Sequence, residues 1–128
     1  MRTTTILISA ILFFAFSAQA QERDNVLTPE EFAQGWELLF DGETLDGWKA
    51  YNGDEPQTWE VRDNALYCEG GDHGGDDIMT VETFSDFDLK FEWKIAENGN
   101  SGVIYRVREG KQWGAPFVTG PEYQVLDE

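Results

Sequence analysis

Phe87-Asp-Leu-Lys-Phe-Glu-Trp-Lys-Ile95 alternates apolar and polar side chains without interruption. Because successive side chains of an extended strand point to opposite faces, this period of two predicts a strand with one face in a core and the other in water. Shorter extended stretches are predicted at 102–107 and 122–126. Residues 58–62 and 65–68 flank Asp63-Asn64, a pair typical of a two-residue hairpin turn.

A single short helix is predicted before these strands. Thr28 is its N-cap, Pro29 its first residue and Glu31 the partner that completes a capping box, and Gly35 ends it. Several short strands separated by turn residues, with only one helix, indicate an all-β fold of antiparallel strands in a sandwich or barrel. We assign residues 21–34 to a lead-in segment that carries the helix.

The first twenty residues have the pattern of a secretory signal peptide. Arg2 supplies the basic start, residues 6–16 form an apolar run, and Ala18-Gln-Ala20 is a cleavage site of the A-x-A type. A membrane anchor would need about 20 continuous apolar residues, and polar residues return by Gln19. We therefore expect cleavage after residue 20, export to the periplasm or the medium, and no membrane attachment of the mature protein.

The charge balance narrows the range of partners. The chain has 25 acidic and 9 basic residues and a formal net charge of −16. A polyanion of this kind repels phosphate backbones, which excludes nucleic acid as a ligand. The charge also explains solubility after export without any specific partner, and an acidic protein-interaction domain remains an alternative that has no motif of its own.

The stretch 122–127 carries the most suggestive polar side chains. In a regular strand Glu122 and Gln124 point to one face, whereas Asp127 points to the other and joins them only if the strand bulges. The spacing E-x-Q-x-x-D resembles the E-x-D-x-x-E of retaining glycosidases on similar sandwiches. Direct displacement needs two carboxyl groups about 5 Å apart, so the amide at Gln124 disfavours that mechanism here.

Two further residues are candidates for substrate contact. Arg106 lies on the neighbouring predicted strand, where its planar fork could orient Glu122 or bind substrate. The alternative is a cross-strand surface pair worth under about 1 kcal/mol. Trp113 lies in a polar loop and could stack on a sugar ring, whereas for Trp36, Trp48, Trp59 and Trp93 we favour packing in the core.

The only histidine, His73, lies in a loop with Asp72, Asp76 and Asp77. Such oxygen and imidazole ligands suit calcium or zinc. The loop does not match the EF-hand pattern, however, and clusters of Gly and Asp are ordinary solvated turns. We therefore interpret the loop around His73 as a solvated turn. No residues of this chain are then assigned as metal ligands.

Several blocks in register indicate a family. They are Gly35-Trp-Glu-Leu-Leu-Phe-Asp-Gly42, Leu45-Asp-Gly-Trp48, Trp59-Glu-Val61, Phe84-Ser-Asp-Phe-Asp-Leu89, Gly99-Asn-Ser-Gly-Val-Ile-Tyr-Arg106 and Glu122-Tyr-Gln-Val-Leu-Asp127. Together they resemble the 3-keto-disaccharide hydrolase family, long known as a domain of unknown function. The resemblance implies a concanavalin A-like jelly-roll sandwich in an exported bacterial protein. Residues 35–128 would be its N-terminal portion, incomplete at the C-terminus.

The resemblance also implies a substrate and a mechanism. The family acts on glycosides whose sugar is oxidised at carbon 3, and we expect Glu122 as the base, with Gln124 and Asp127 beside it and a divalent metal as the electrophile. It implies substrate contact for Asn100 and Ser101, although turn preference alone explains both. A non-catalytic lectin-like module that binds carbohydrate is the alternative.

The chain departs from the family pattern in two places. The segment 69–77 is longer than the usual Gly-rich turn, and the family domain normally continues through several more strands. We expect residues 1–128 alone to be inactive.

Overall fold

The computed structural model describes residues 24–70 and 75–127. It contains one α-helix, one 3-10 turn and six strands in three antiparallel pairs. In chain order these are α1 Pro29–Ala33, β1 Trp48–Ala50, β2 Trp59–Arg62, β3 Ala65–Cys68, β4 Ile78–Thr80, β5 Asn100–Ile104, the 3-10 turn Pro116–Val118 and β6 Glu122–Leu126. The predicted all-β, antiparallel class with one short helix is confirmed, and the predicted signal peptide lies outside the described residues.

Helix α1 begins as its sequence predicts. The Thr28 hydroxyl accepts from the backbone N–H of Glu31 at 3.2 Å, and the Glu31 carboxylate accepts from the Thr28 N–H at 2.9 Å. These two bonds satisfy donors that the first helical turn leaves free. They also hold the pKa of Glu31 below its usual value, since the backbone and side-chain hydrogen bonds of Thr28 stabilise the ionised form.

The hairpin β2–β3 confirms the turn predicted at Asp63-Asn64. Arg62 pairs with Ala65, and the two residues between them have φ angles of 49° and 65°. Positive φ at both central positions is typical of a type I′ turn, whose twist matches that of the flanking strands. The place and the length of this turn are thus as predicted, and the φ angles add its type.

Strands β1 and β4 form a ladder that the sequence pattern did not predict. Trp48 pairs with Thr80 and Ala50 with Ile78. Near this ladder, two indole N–H groups donate hydrogen bonds to backbone carbonyls. The Trp48 indole donates to the Leu39 carbonyl at 2.7 Å, and the Trp59 indole donates to the Asp76 carbonyl at 2.6 Å. Both rings are half-buried, in keeping with the packing role favoured for them.

Strands β5 and β6 form the longest ladder. Asn100 pairs with Leu126, Gly102 with Gln124 and Ile104 with Glu122. Strand β5 ends earlier than the predicted 102–107, because Arg106 has a φ of 58°. The left-handed region is incompatible with a continuing strand.

The stretch 87–95 differs from its prediction. Within the described ranges 24–70 and 75–127 it joins no ladder, and Trp93, expected in the core, is 53 % exposed. Three other apolar side chains on the same predicted face are exposed as well: Phe87 at 47 %, Leu89 at 41 % and Phe91 at 41 %. The prediction of a strand with one face in a core is therefore wrong for the described residues, because a period of two does not supply the hydrogen-bonding partner that a strand also needs. The jelly-roll order of strands stays an expectation.

The buried interior of the described residues is small. Val125 on β6 is the one large apolar side chain with less than a tenth of its surface exposed, at 5 %. In the described part of the chain, no helix is long and apolar enough to cross a bilayer.

Candidate active site

The β5–β6 ladder has two faces with different chemistry. Directly paired residues of an antiparallel ladder share a face. The register therefore places Glu122 and Gln124 together with Asn100 and Gly102, which we call the Glu122 face, while Tyr123, Val125, Ser101 and Val103 lie on the opposite Val125 face. The sequence prediction that Glu122 and Gln124 share a face agrees with this register.

The Glu122 side chain lies across β5 at Gly102. A methyl group placed on Gly102 would stand 2.6 Å from Cγ and 2.7 Å from Cδ of Glu122, and closer still to Oε1. Ordinary contact between such atoms begins at about 3.5 Å. The carboxylate therefore occupies the space that any side chain at position 102 would fill, and it remains exposed on its outer side.

The Gln124 amide is fixed in one orientation. Its Nε2 donates to the Ser101 carbonyl oxygen at 2.9 Å and to Oδ1 of Asn100. A backbone carbonyl can only accept, so the NH₂ end must face β5 whatever the oxygen and nitrogen assignment. Both hydrogens are then used, and Gln124 presents its carbonyl oxygen, an acceptor.

A second carboxyl group lies within electrostatic reach of Glu122. Asp77 precedes β4, and its carbonyl accepts from the Tyr51 N–H at 2.8 Å. Burial raises the pKa of Asp77, and the negative charges of Asp76 and then Glu122 raise it further. Sequence reasoning did not connect Asp77 with Glu122, because the two residues are far apart in the sequence, Asp77 before β4 and Glu122 at the start of β6.

The adjacent Asp76 has a structural role. Its carboxylate accepts from the backbone N–H groups of Gln57 at 2.9 Å and Thr58 at 2.8 Å, and from the Thr58 hydroxyl. Burial acts to raise the pKa of Asp76, but these hydrogen bonds outweigh it and hold the pKa below its usual value. The hydrogen bonds of Asp76 thus connect the segment before β4 to the segment before β2.

Asp127 lies apart from the Glu122 face. Its Oδ2 accepts from the backbone N–H of Asn98 at 2.8 Å, and its own N–H approaches the Gly99 carbonyl at 3.4 Å. The bulge that would have brought Asp127 beside Glu122 does not occur, because β6 runs in regular register from Glu122 to Leu126. The structure places this carboxylate at the 96–99 turn.

Arg106 is close to the end of β6 but not paired with Glu122. Among the described residues, the ion pairs join Lys49 to Glu109, Arg62 to Glu60 and Lys90 to Glu31. Arg106 instead lines a shallow, open depression of about 650 Å³, together with Ser85, Asp86, Phe87, Asp88 and Tyr105. The Tyr105 N–H donates to the Pro121 carbonyl at 3.2 Å, which holds this depression next to the residue before Glu122.

Trp113 lies in the loop that follows β5. Its carbonyl accepts from the Asn52 amide at 3.0 Å, and its N–H donates to Gly110 at 2.9 Å. These bonds attach the loop to the turn after β1 and leave the indole half-buried. Asn100 contacts Gln124 through its side chain, whereas Ser101 does so only through its carbonyl.

The ligands expected for a divalent metal are not found together. In residues 24–70 and 75–127, no three His, Cys, Asp or Glu side chains are grouped so as to hold a metal ion. His73 lies outside the described residues. A divalent metal as the electrophile stays a prediction, with no ligands assigned to it in the described part of the chain.

Comparison with known proteins agrees with the family indicated by the sequence. Residues 35–128 match the family described as the 3-keto-alpha-glucoside-1,2-lyase-like domain. A 3-keto-disaccharide hydrolase from Bacteroides thetaiotaomicron is 33 % identical over 129 aligned positions, which cover 89 % of this chain and 44 % of that protein.

A solved structure is also similar. The crystal structure of a proposed glycosyl hydrolase from Parabacteroides distasonis is 47 % identical, with a TM-score of 0.76, over 82 % of this chain and 47 % of that one. This chain spans less than half the length of both relatives. On the match over residues 35–128, the chain belongs to the 3-keto-alpha-glucoside-1,2-lyase-like domain family.

Proposed function

We propose that this chain forms part of an exported enzyme that cleaves the glycosidic bond of 3-keto-glycosides, with Glu122 as the base. The observation that carries the proposal is the arrangement of the Glu122 face, where an exposed carboxylate lies beside an amide whose free carbonyl can accept from a sugar hydroxyl. The names of the family and of its relatives supply the substrate class: one names a lyase and the other a hydrolase.

The lyase and hydrolase names fit two halves of one reaction. A ketone at carbon 3 makes the hydrogen on carbon 2 acidic, so Glu122 removes it as a proton and the electron pair forms an enolate. That pair then makes a double bond between carbons 1 and 2 as the bond from carbon 1 to the glycosidic oxygen breaks. The leaving oxygen takes a proton, and water later adds its hydroxyl to carbon 1 and a proton to carbon 2. The balance is one water consumed per bond cleaved.

Two other groups fit roles in this sequence. Gln124 binds a hydroxyl of the substrate through Oε1 and thereby orients carbon 2 toward Glu122. We propose Asp77, whose pKa is raised by burial and then by the negative charges of Asp76 and Glu122, as the acid for the leaving oxygen. Arg106, Asn100, Ser101 and Trp113 stay predicted substrate contacts.

The test uses the full-length enzyme of which we propose this chain to be a part, and a pair of substrates that differ only at carbon 3. We expect release of the aglycone from the 3-keto-glucoside and none from the unoxidised glucoside. Glu122→Gln keeps the shape of the side chain and removes its basicity, so kcat should fall about 10²- to 10⁴-fold. Glu30→Gln on the exposed first turn of α1 is the matched control.

Three outcomes would contradict the proposal. Equal cleavage of both glucosides would indicate an ordinary glycosidase. Full activity of Glu122→Gln would remove Glu122 from the mechanism. Binding of the sugar without any release would indicate the lectin-like module considered from the sequence.

A further inference from the structure

Gly102 is a glycine at a position whose backbone conformation any residue could adopt. It lies inside β5, paired with Gln124, and its φ is outside the left-handed region. Glycine in the interior of a strand is unfavourable, since it loses the most conformational freedom on folding and packs nothing. A reason other than backbone geometry is therefore needed for its presence.

The surroundings of Gly102 supply that reason. The three atoms nearest to a methyl group added there are Oε1, Cγ and Cδ, and all three belong to Glu122. Backbone atoms and other side chains are not among them. The missing side chain thus leaves a space, and the carboxylate of Glu122 fills it.

We propose that Gly102 is a positioning residue: because it has no side chain, the Glu122 carboxylate can lie against β5. We call the space that the carboxylate occupies there the Gly102 seat. The inference rests on the proposed function of Glu122 as the base. The Gln124 amide, held by Asn100 and the Ser101 carbonyl, fixes the next group along the same face. With the amide held and the carboxylate in the space beside Gly102, the base and the substrate hydroxyl bound by Gln124 keep a constant separation.

A base must lie within hydrogen-bonding reach of the proton that it removes, and a displacement of about 1 Å can cost about 100-fold in rate. A methyl group at position 102 would force Glu122 into another rotamer and so move the carboxylate by more than that. Its charge and chemical identity would not change. Gly102→Ala is thus a substitution that alters only where the base is.

The experiment compares Gly102→Ala with Gly114→Ala in the full-length enzyme, not in residues 1–128 alone. Gly114 has open space where its methyl group would lie and no left-handed φ, so it is a matched control. We expect kcat on the 3-keto-glucoside to fall about 100-fold for Gly102→Ala with KM changed less than about threefold. Gly114→Ala should stay within about twofold of the unmodified protein in both constants.

A double-mutant cycle with Glu122→Gln separates positioning from a general loss of structure. If Gly102→Ala has already displaced the carboxylate, adding Glu122→Gln should cost less than about tenfold, although it costs about 10²- to 10⁴-fold alone. Multiplicative effects would overturn the proposal, and so would unchanged kcat for Gly102→Ala. If instead Glu122→Gln alone leaves kcat unchanged, the proposed function of Glu122 fails first.

Two further measurements do not depend on activity. A crystal structure of Gly102→Ala should show the Glu122 carboxylate moved off β5, and an unmoved carboxylate would overturn the Gly102 seat. If Gly102→Ala lowers the melting temperature, adding Glu122→Ala should restore it, because the Glu122 side chain is the group that the new methyl group would contact too closely. Failure of Glu122→Ala to restore it would contradict the inference.

Discussion

The two faces of the β5–β6 ladder are built by different means. On the Val125 face, Val125 is 5 % exposed and Tyr123 meets Phe91 edge to face, with ring centroids 6.1 Å apart and planes at 87°. On the Glu122 face, two directed hydrogen bonds and an absent side chain determine where the polar groups lie. The faces share one backbone and alternate along it residue by residue.

The contrast between the two faces distinguishes the residues that stabilise the ladder from the residues proposed to act on substrate. Apolar burial is non-directional and stabilises roughly in proportion to the area removed from water. Hydrogen bonds at an exposed surface add little net stability but fix the orientation of the groups that make them. Substitutions on the Val125 face should therefore change the free energy of unfolding, and those on the Glu122 face should change activity.

Val125→Ala tests this separation with the largest expected effect on stability. It removes two buried methyl groups and leaves a cavity, so the free energy of unfolding should fall by about 2 kcal/mol. Urea denaturation followed by far-UV circular dichroism measures the change. Gln124→Ala, one residue earlier on the exposed face, should cost under about 1 kcal/mol. Equal losses for the two variants would mean that the two faces do not differ in this way.

Much of the fold was predictable because its signals are local. The capping box of α1 and the Asp63-Asn64 turn each depend on residues within three positions of one another, and both are confirmed. The stretch 87–95 shows the limit of periodicity: its apolar and polar side chains alternate, yet Phe87, Leu89, Phe91 and Trp93 are exposed and the stretch joins no ladder of the described residues. The β1–β4 ladder spans only three residues on each side, too few for a period to show.

The candidate site was predictable only in part. Alternation alone puts Glu122 with Gln124, and the register agrees with that placement. Asp77 was not connected with Glu122, because no sequence spacing links a residue before β4 to one on β6. The direction in which Gln124 presents its amide depends on the Ser101 carbonyl, and a backbone acceptor has no signature in the sequence.

Asp127→Ala should have the next largest effect, on stability. It removes the acceptor for the Asn98 N–H at the 96–99 turn, and loss of a charge-assisted bond of this kind costs about 1 kcal/mol. Asp127→Asn retains an acceptor oxygen and should lose less, as urea denaturation of both variants would show. A fall in kcat as large as that of Glu122→Gln would instead support the catalytic role that the sequence predicted for Asp127.

The smallest effect concerns Asp77, whose pKa the charge of Glu122 helps to raise. Because burial and the charges of Asp76 and Glu122 raise the pKa of Asp77 above 3.8, the folded chain binds this proton more tightly than the unfolded chain does. The stability associated with that proton is full below pH 3.8 and is lost as pH rises through the raised pKa. Asp77→Asn should therefore be slightly more stable than the unmodified chain at pH 7 and equal to it at pH 3.

Asp76→Asn should show the opposite sign. Hydrogen bonds from Thr58 and Gln57 keep the pKa of Asp76 low against the effect of burial, so its contribution is present above pH 3.8 and is lost as pH falls through the lowered pKa. Urea midpoints at pH 3 and pH 7 for both variants measure the two signs together. If Glu122→Gln also removes part of the gain from Asp77→Asn, then the charge of Glu122 acts on Asp77. A gain independent of Glu122 would leave burial and Asp76 as the only causes and would remove Asp77 from the site.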